Sequence, residues 1–592
     1  MNSFLLTALL SLAPSLTGVV NADKARALPA PAREALARDG FTVVEGQERH
    51  FFSLYDRNAY EKVPSFISLD VVLHVFHVRF DAELAKAEEA RALPALIQLA
   101  KGQLAKALAR WPDAGPVPPQ VEGLALYHAT ALALLDDQVA LDARLAGKVK
   151  PLAKALHDAK DAAVRHPSCP GPLDATRFKP RGHYDSWKLG GYFRGFTFYA
   201  LCAFPMQGDG AARAKEVASA LAGDATDRAQ WDVVRGFVEY VGGPTDSEPL
   251  DLVAKGGRPV GIPTDTAMSR GLAKPPPMPV FRLLGGAEVG DAALFLRTAG
   301  KPQRPFPSVL DVFAALGSTD ARTLLAPSPE LDAALKEPLR VDESLSGKWL
   351  RVLGLATTRP ASPAPAPFSS DGWARRTLVA AAGSYAELKH DTLLYVKQPL
   401  VMMEGGHDAE LPASKVGGYV EPRPDVYRAL LELTDGLTAL GGEEAGKDLA
   451  TFLRFLVEVS DLELAGKPFP KAMDERLRTV GGELEHLSRT HGDESPPEAL
   501  VADVFTLAFP DAPPRAWHVG TGTVDEVWVV APRAGKRVLM RGGAFSFYEF
   551  AGAPGERLSD REWFQRLEEN PPERPTWALP VRRQQRPAGK RE

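Results

Sequence analysis

The segment "SLDVVLHVFHVRFD", residues 68–81, constrains the fold more than any other stretch of the chain. Wound as a helix from an N-cap at Ser68, it carries Val71, Val72, Leu73, Val75, Phe76, Val78 and Phe80 around most of its circumference. A helix apolar nearly all round belongs inside a core. Its polar side chains are Asp70, His74, His77 and Asp81, at intervals of four, three and four residues, which places them within an arc of about 60°. Unpaired buried charge is too costly to persist, so this line must face an interior cavity, a polar network or a metal.

Two readings of the line are open. Histidines one turn apart between carboxylates are what a zinc, iron or manganese site takes from a helix, with Asp70, His74, His77 and Asp81 as the ligand candidates. A carboxylate four residues from a histidine can also orient the ring rather than bind the ion. Against this, Asp70 lies in the first turn, where a carboxylate is favoured by the helix N-terminus alone, and both histidines can be satisfied by protein groups.

A second block, "SYAELKHDTLLYVKQ", holds the catalytic candidates Glu387, His390 and Asp391. Ser384 and Glu387 have capping-box spacing, which gives Glu387 a local role by default. Glu387-x-x-His390 also has the spacing that helical di-metal carboxylate proteins use, although they need two such pairs and one is visible. The strand "GGAFSFYEF" ends in Tyr548 and Glu549, a carboxylate beside aromatics, and "SDREW" at 559–563 reads as a helix start with Trp563 as its packing residue. There is no GxSxG, no HExxH and no P-loop.

The rest of the chain frames these blocks. Its 592 residues exceed what one core usually serves, so several lobes are expected. Residues 1–22 read as a signal peptide with cleavage after Ala22, where Val20 and Ala22 are the small residues such a site needs. A helical lobe follows over 23–260, with "FTVVEG" as a strand, and a loop-rich segment with helices over 261–356. A Pro-rich linker at 357–370 leads to a second helical lobe at 371–514, a small β element of three antiparallel strands at 515–570, and a tail at 571–592. The fold class expected is mainly α: multi-helical lobes with a small C-terminal antiparallel β element.

Seventy basic against 75 acidic residues give a net charge of −5 and no basic surface for nucleic acid. Beyond the N-terminus no apolar run reaches membrane-spanning length. Cys169 and Cys202 are the only cysteines; they pair in an oxidising compartment or stay as two buried thiols.

Five stretches in order are similar to one bacterial family, the domain of unknown function 3160. They are "GFTVVEGQERHFFSLYDRNAYEKVPSFISLDVVLHVFHVRFD", "RPFPSVLDVFAALGS", "GSYAELKHDTLLYVKQ", "GGYVEPRPDVYRALLEL" and "GGAFSFYEF" with "RLSDREW". The resemblance covers about residues 35 to 570 and implies export and a single extended module, without supplying a reaction. The family pattern includes His74, His77 and Asp81 in its first block and Glu387, His390, Asp391, Lys397 and Gln398 in its second, all kept here. The chain departs from it at Phe505, where a His is usual, and at Gly286-Ala287, where Gln-Arg is usual.

Two functions follow. The first is a non-catalytic exported binding or scaffold protein of the cell envelope, with an envelope polymer or another protein as partner and the polar line as internal architecture. The alternative is a metal-dependent hydrolase using a divalent metal, zinc, iron or manganese. The hydrolase requires the two blocks, far apart in sequence, to meet in space.

Overall fold

The computed structural model describes residues 16–160, 163–185, 188–245, 249, 280–287, 289–300, 303–360, 364–395, 417–489, 499–509 and 512–580. Residues 1–15 of the expected leader, with Lys397 and Gln398, lie outside these. Helices make up most of the described chain, and antiparallel strands gather toward its C-terminus, as the sequence pattern predicts.

The Leu69–Ala87 helix is the axis of the molecule, with every residue from Leu69 to Val78 buried. Ser68 is its N-cap residue, but the Ser68 hydroxyl donates to Gly543 O at 2.5 Å instead of capping. The free N–H of Leu69 donates to Glu421 Oε2 at 2.8 Å, so a distant carboxylate occupies the positive end of the helix. The Asp371–Asp391 and Pro424–Gly441 helices pack along its length.

The Asp371–Asp391 helix starts earlier than its second-block residues suggest. Ser370 caps it by accepting from Trp373 N, which leaves Ser384 and Glu387 in the helix interior. No capping box forms there; Ser384 Oγ accepts from Trp349 Nε1 at 3.0 Å, and Glu387 is released for a distant partner. Gly383 permits close contact with Phe545, since a Cβ would come within 2.3 Å of that ring.

The strands are β1 (Val19–Val20), β2 (Phe41–Glu48), β3 (Phe66–Ile67), β4 (Phe204–Pro205), β5 (Val280–Phe281), β6 (Tyr419–Val420), β7 (Val501–Phe509), β8 (Ala512–Thr521), β9 (Val524–Arg533), β10 (Lys536–Ala544) and β11 (Phe547–Pro554). Four strands, β8 to β11, stand where three were expected, and β7 lies in the stretch expected to close the second helical lobe. They divide between a sheet ordered β1-β10-β9-β2 and a sheet ordered β11-β8-β7. β9 and β10 meet at Ala534-Gly535, both at positive φ, the backbone that a two-residue hairpin turn requires. The "FTVVEG" strand forms as predicted and pairs with β9. β1, inside the expected leader, lies parallel to β10, and Asn21 Nδ2 donates to Leu539 O at 2.9 Å.

One apolar cluster of buried residues runs from Phe51 to Phe547. Cys169 and Cys202 form a disulfide with Cα atoms 5.1 Å apart. No helix among the described residues is long and apolar enough to cross a membrane.

Candidate functional site

The two blocks meet. His74 Nδ1 lies 2.7 Å from Glu387 Oε1, across 313 residues of sequence, and His77 Nδ1 lies 2.8 Å from Asp391 Oδ2. The successive pairs advance by three residues on one helix and four on the other, so the helices run in the same direction here. Asp391 also meets its neighbour, with Oδ1 2.9 Å from His390 Nδ1. His390 Nε2 continues the chain to Asp560 Oδ2 at 3.2 Å, and Asp560 Oδ1 accepts from Val501 N at 2.9 Å. His74, His77, Glu387, His390 and Asp391 are each no more than 6% exposed.

The charges sort along the chain. Burial and the neighbouring His77 push His74 well below the usual imidazole range. Burial raises Glu387 to about 8, against the pull of His77. Burial also opposes an imidazolium at His77, but the Asp391 and Glu387 carboxylates outweigh it and raise His77 to about 9. The same balance holds at His390, where Asp560 and Asp391 overcome burial and raise it well above its ordinary value.

The two flanking carboxylates of the line turn to other partners. Asp70 forms a short ion pair with Arg376, and its Oδ1 accepts from Phe545 N at 2.9 Å. Arg376 Nη1 also bonds Glu421 Oε2 at 2.9 Å, and Trp373 Nε1 donates to Glu421 Oε1 at 2.9 Å. Asp81 Oδ1 lies 2.6 Å from His183 Nδ1, while His183 Nε2 lies 2.8 Å from Glu88 Oε2. Tyr184 OH donates to Glu88 Oε1 at 2.7 Å. Burial disfavours an imidazolium at His183, yet Asp81 and Glu88 raise it to about 10.

The structure therefore brings His74, His77, Glu387, His390 and Asp391 together, and directs the hydrogen bonds of Asp70 and Asp81 elsewhere. Arg376, Glu421, His183, Glu88 and Asp560 were not among the sequence candidates. Helical spacing carried a signal for two of them. Glu88 follows Asp81 by seven residues, and Arg376 precedes Glu387 by eleven, so each continues the polar face of its helix.

Among the described residues, three groups have donor atoms within 4.8 Å of one another: His74, His77 and Glu387; His77, His390 and Asp391; and His166 with Cys169 and Cys202, whose sulfurs are taken up by the disulfide. Glu387 Oε2 is buried without a hydrogen-bond partner. Two imidazoles and a carboxylate with a spare oxygen fit zinc, iron or manganese. Such an ion would share these donors with the carboxylate contacts already made on the Nδ1 side of each ring.

Glu549, the strand-end carboxylate, serves as a cap. It accepts from Ser308 Oγ at 2.9 Å and from Val309 N at 3.0 Å, at the start of the Val309–Ala315 helix. Ser559 and Glu562 form the capping box of the Asp560–Glu569 helix, and Trp563 is buried, as the sequence suggests. Phe505 lies on β7 opposite Trp517 and joins the main apolar cluster. Ala287 N donates to Tyr395 O at 2.8 Å.

A family described as "protein of unknown function (DUF3160)" matches residues 30–254 and 264–578. No curated protein and no solved structure matches the chain.

Proposed function

The chain belongs to this DUF3160 family, which brings no reaction with it, and we propose that the protein is an exported, non-catalytic binding or scaffold protein of the cell envelope. The observation that carries the reading is the engagement of the polar line. His74, His77, Glu387, His390 and Asp391 are almost wholly buried, and each bonds a side chain that a distant part of the chain supplies or shares. A substrate cannot reach them while the Leu69–Ala87 and Asp371–Asp391 helices stay packed. A buried network that engages every one of these residues across two helices favours one arrangement of them.

The Cys169–Cys202 disulfide supports export, because such bonds persist in oxidising compartments. Cleavage after Ala22 would remove β1, a two-residue strand at the edge of a sheet that keeps β10, β9 and β2. The partner in this reading is an envelope polymer or another protein.

A second reading, a metal-dependent hydrolase, is favoured by the spare oxygen of Glu387 beside His74 and His77. A divalent metal there would supply Lewis acidity for activating water. The test is the metal content of the full chain purified without chelator or histidine tag, beside His74→Ala/His77→Ala. The binding reading expects no stoichiometric zinc, iron or manganese in either protein, and a destabilised double variant. One metal per chain, lost in the variant, would replace it with the hydrolase reading.

A further inference from the structure

Near Asp503 on β7 lies a second buried polar group, and its charges do not balance. Arg557 forms a short ion pair with Asp503 and lies 3.8 Å from Asp174, its side chain 7% exposed. Arg181 is 1% exposed, and neither its Nε nor its Nη1 has a hydrogen-bond partner. Its cation lies 5.5 Å from the ring centre of Phe193, which stacks on the guanidinium without neutralising it. Arg177 stands within electrostatic reach of Arg557, Asp174 and Asp503. Among the described residues, Arg557, Arg181 and Arg177 thus share the carboxylates of Asp503 and Asp174, Arg282 adds a further cation beside Arg177, and one oxygen of Asp503 is itself without a partner.

His518 on β8 adds to the deficit. It is fully buried against Phe550, with ring centres 5.1 Å apart, and neither ring nitrogen bonds another side chain; the nearest polar group is the backbone of Ala516. Burial and the cations of Arg557, Arg566 and Arg181 push it down to about 3, so the ring is neutral and carries one N–H to give. Buried donors without acceptors cost about 1–3 kcal/mol each, more when charged, so this group is incomplete as protein alone.

The missing component has a route in. Arg557 lines a surface cleft of about 590 Å³ together with Thr176, Lys179, Glu562 and Arg566. Two cations at its wall are already answered. Lys179 bonds Glu562 at 2.6 Å, and Arg566 bonds Glu556 Oε2 at 3.1 Å. The uncompensated charge lies behind Arg557: its partner Asp503 stands opposite His518 in the β7–β8 pairing, and Arg181 is within electrostatic reach of both Asp503 and Arg557.

We propose that the buried group behind Arg557, at the wall of this cleft, is a binding site for a tetrahedral oxyanion, a phosphate or sulfate group, held by Arg181, Arg177 and Arg557 with His518 as a neutral donor. Guanidinium forks match such an anion through paired N–H donors, and several arginines can each take a different pair of its oxygens. A carboxylate offers two oxygens and leaves donors unmet. The proposal deepens the binding reading by naming the chemistry of what is bound, and does not depend on export.

The test is isothermal titration of the full chain with inorganic phosphate, sulfate and acetate at constant ionic strength. Saturable one-to-one binding of phosphate or sulfate is expected, with acetate at least tenfold weaker. Arg181→Gln and His518→Gln should each weaken the oxyanion at least tenfold. His518 bonds no other side chain, so that variant is the check should Arg181→Gln misfold. No saturable heat, acetate binding as tight as phosphate, or undiminished binding in a folded variant would overturn the site. Glycerol 3-phosphate separates the sources: tighter binding than phosphate assigns the cleft to a phosphorylated molecule, and equal or weaker binding assigns the site to the free anion. Failure here would leave the His/carboxylate network's role standing, because that is read from metal content and stability.

Discussion

Two buried polar groups meet strand β7 from different parts of the chain. Val501 N holds Asp560, the end of the His77–Asp391–His390 relay, and two residues on Asp503 holds Arg557 of the arginine cluster. In the first group almost every acid faces an imidazole or guanidinium, and the cations keep their protons because the carboxylates outweigh burial. In the second, Arg181 and His518 are as deep, yet two of the three Arg181 nitrogens have no hydrogen-bond partner and His518 bonds no other side chain. Depth alone therefore does not say what a buried charge is for; the state of its partners does. A matched group can hold two elements together, whereas an unmatched one is a place where something else binds.

That contrast makes its strongest prediction at Asp391. Asp391→Ala leaves the His77 and His390 cations facing each other without their shared carboxylate, and should cost about 3–5 kcal/mol, seen as a lower denaturant midpoint. A loss below about 1 kcal/mol would remove the matched network as a stabilising element.

Next in size is a pH dependence at His183. Its folded pKa is raised to about 10 from an ordinary 6.5, so the stability it contributes is complete below about 6.5 and is lost as pH rises toward 10. The groups facing it are Asp81 and Glu88, with Tyr184 on Glu88. Melting temperatures of the wild type should fall over that interval, and His183→Gln should flatten the slope there. Parallel slopes in the two proteins would break the assignment.

Arg181→Met should have the smallest effect, and its sign sharpens the contrast. Removing an unmatched charge in phosphate-free buffer should be neutral or stabilising by up to about 1 kcal/mol. A loss like that of Asp391→Ala would show that Arg181 is matched after all.

The central helix was legible because its composition and spacing are local: apolar residues all round force burial, and the four polar side chains share a face. Burial called for a partner without naming it, and the meeting of the two blocks was asked for by the hydrolase reading alone. What was hidden is which partner. Asp70 and Asp81 resemble His74 and His77 by spacing, yet Arg376 and His183, 306 and 102 residues away, claim them. Ser384 and Glu387 have the spacing of a cap, but three upstream turns from Asp371 place them inside a helix.

The C-terminal strands were undercounted for a physical reason as well. The pairing of β7 shifts register between Asp503 and Phe505, which breaks the alternation by which a strand is recognised. β2 reads clearly as a strand, but its place beside β9 is a long-range pairing that no local pattern reports.

The most direct test of the matched network is a double-mutant cycle on His74 and Glu387, a direct contact at 2.7 Å. Denaturant unfolding of the full chain would be followed for wild type, His74→Ala, Glu387→Ala and the double variant. The pairing predicts a coupling energy of about 1–3 kcal/mol, with the double variant less damaged than the sum of the singles. Additive losses, within about 0.3 kcal/mol, would contradict the claim that this contact joins the two helices.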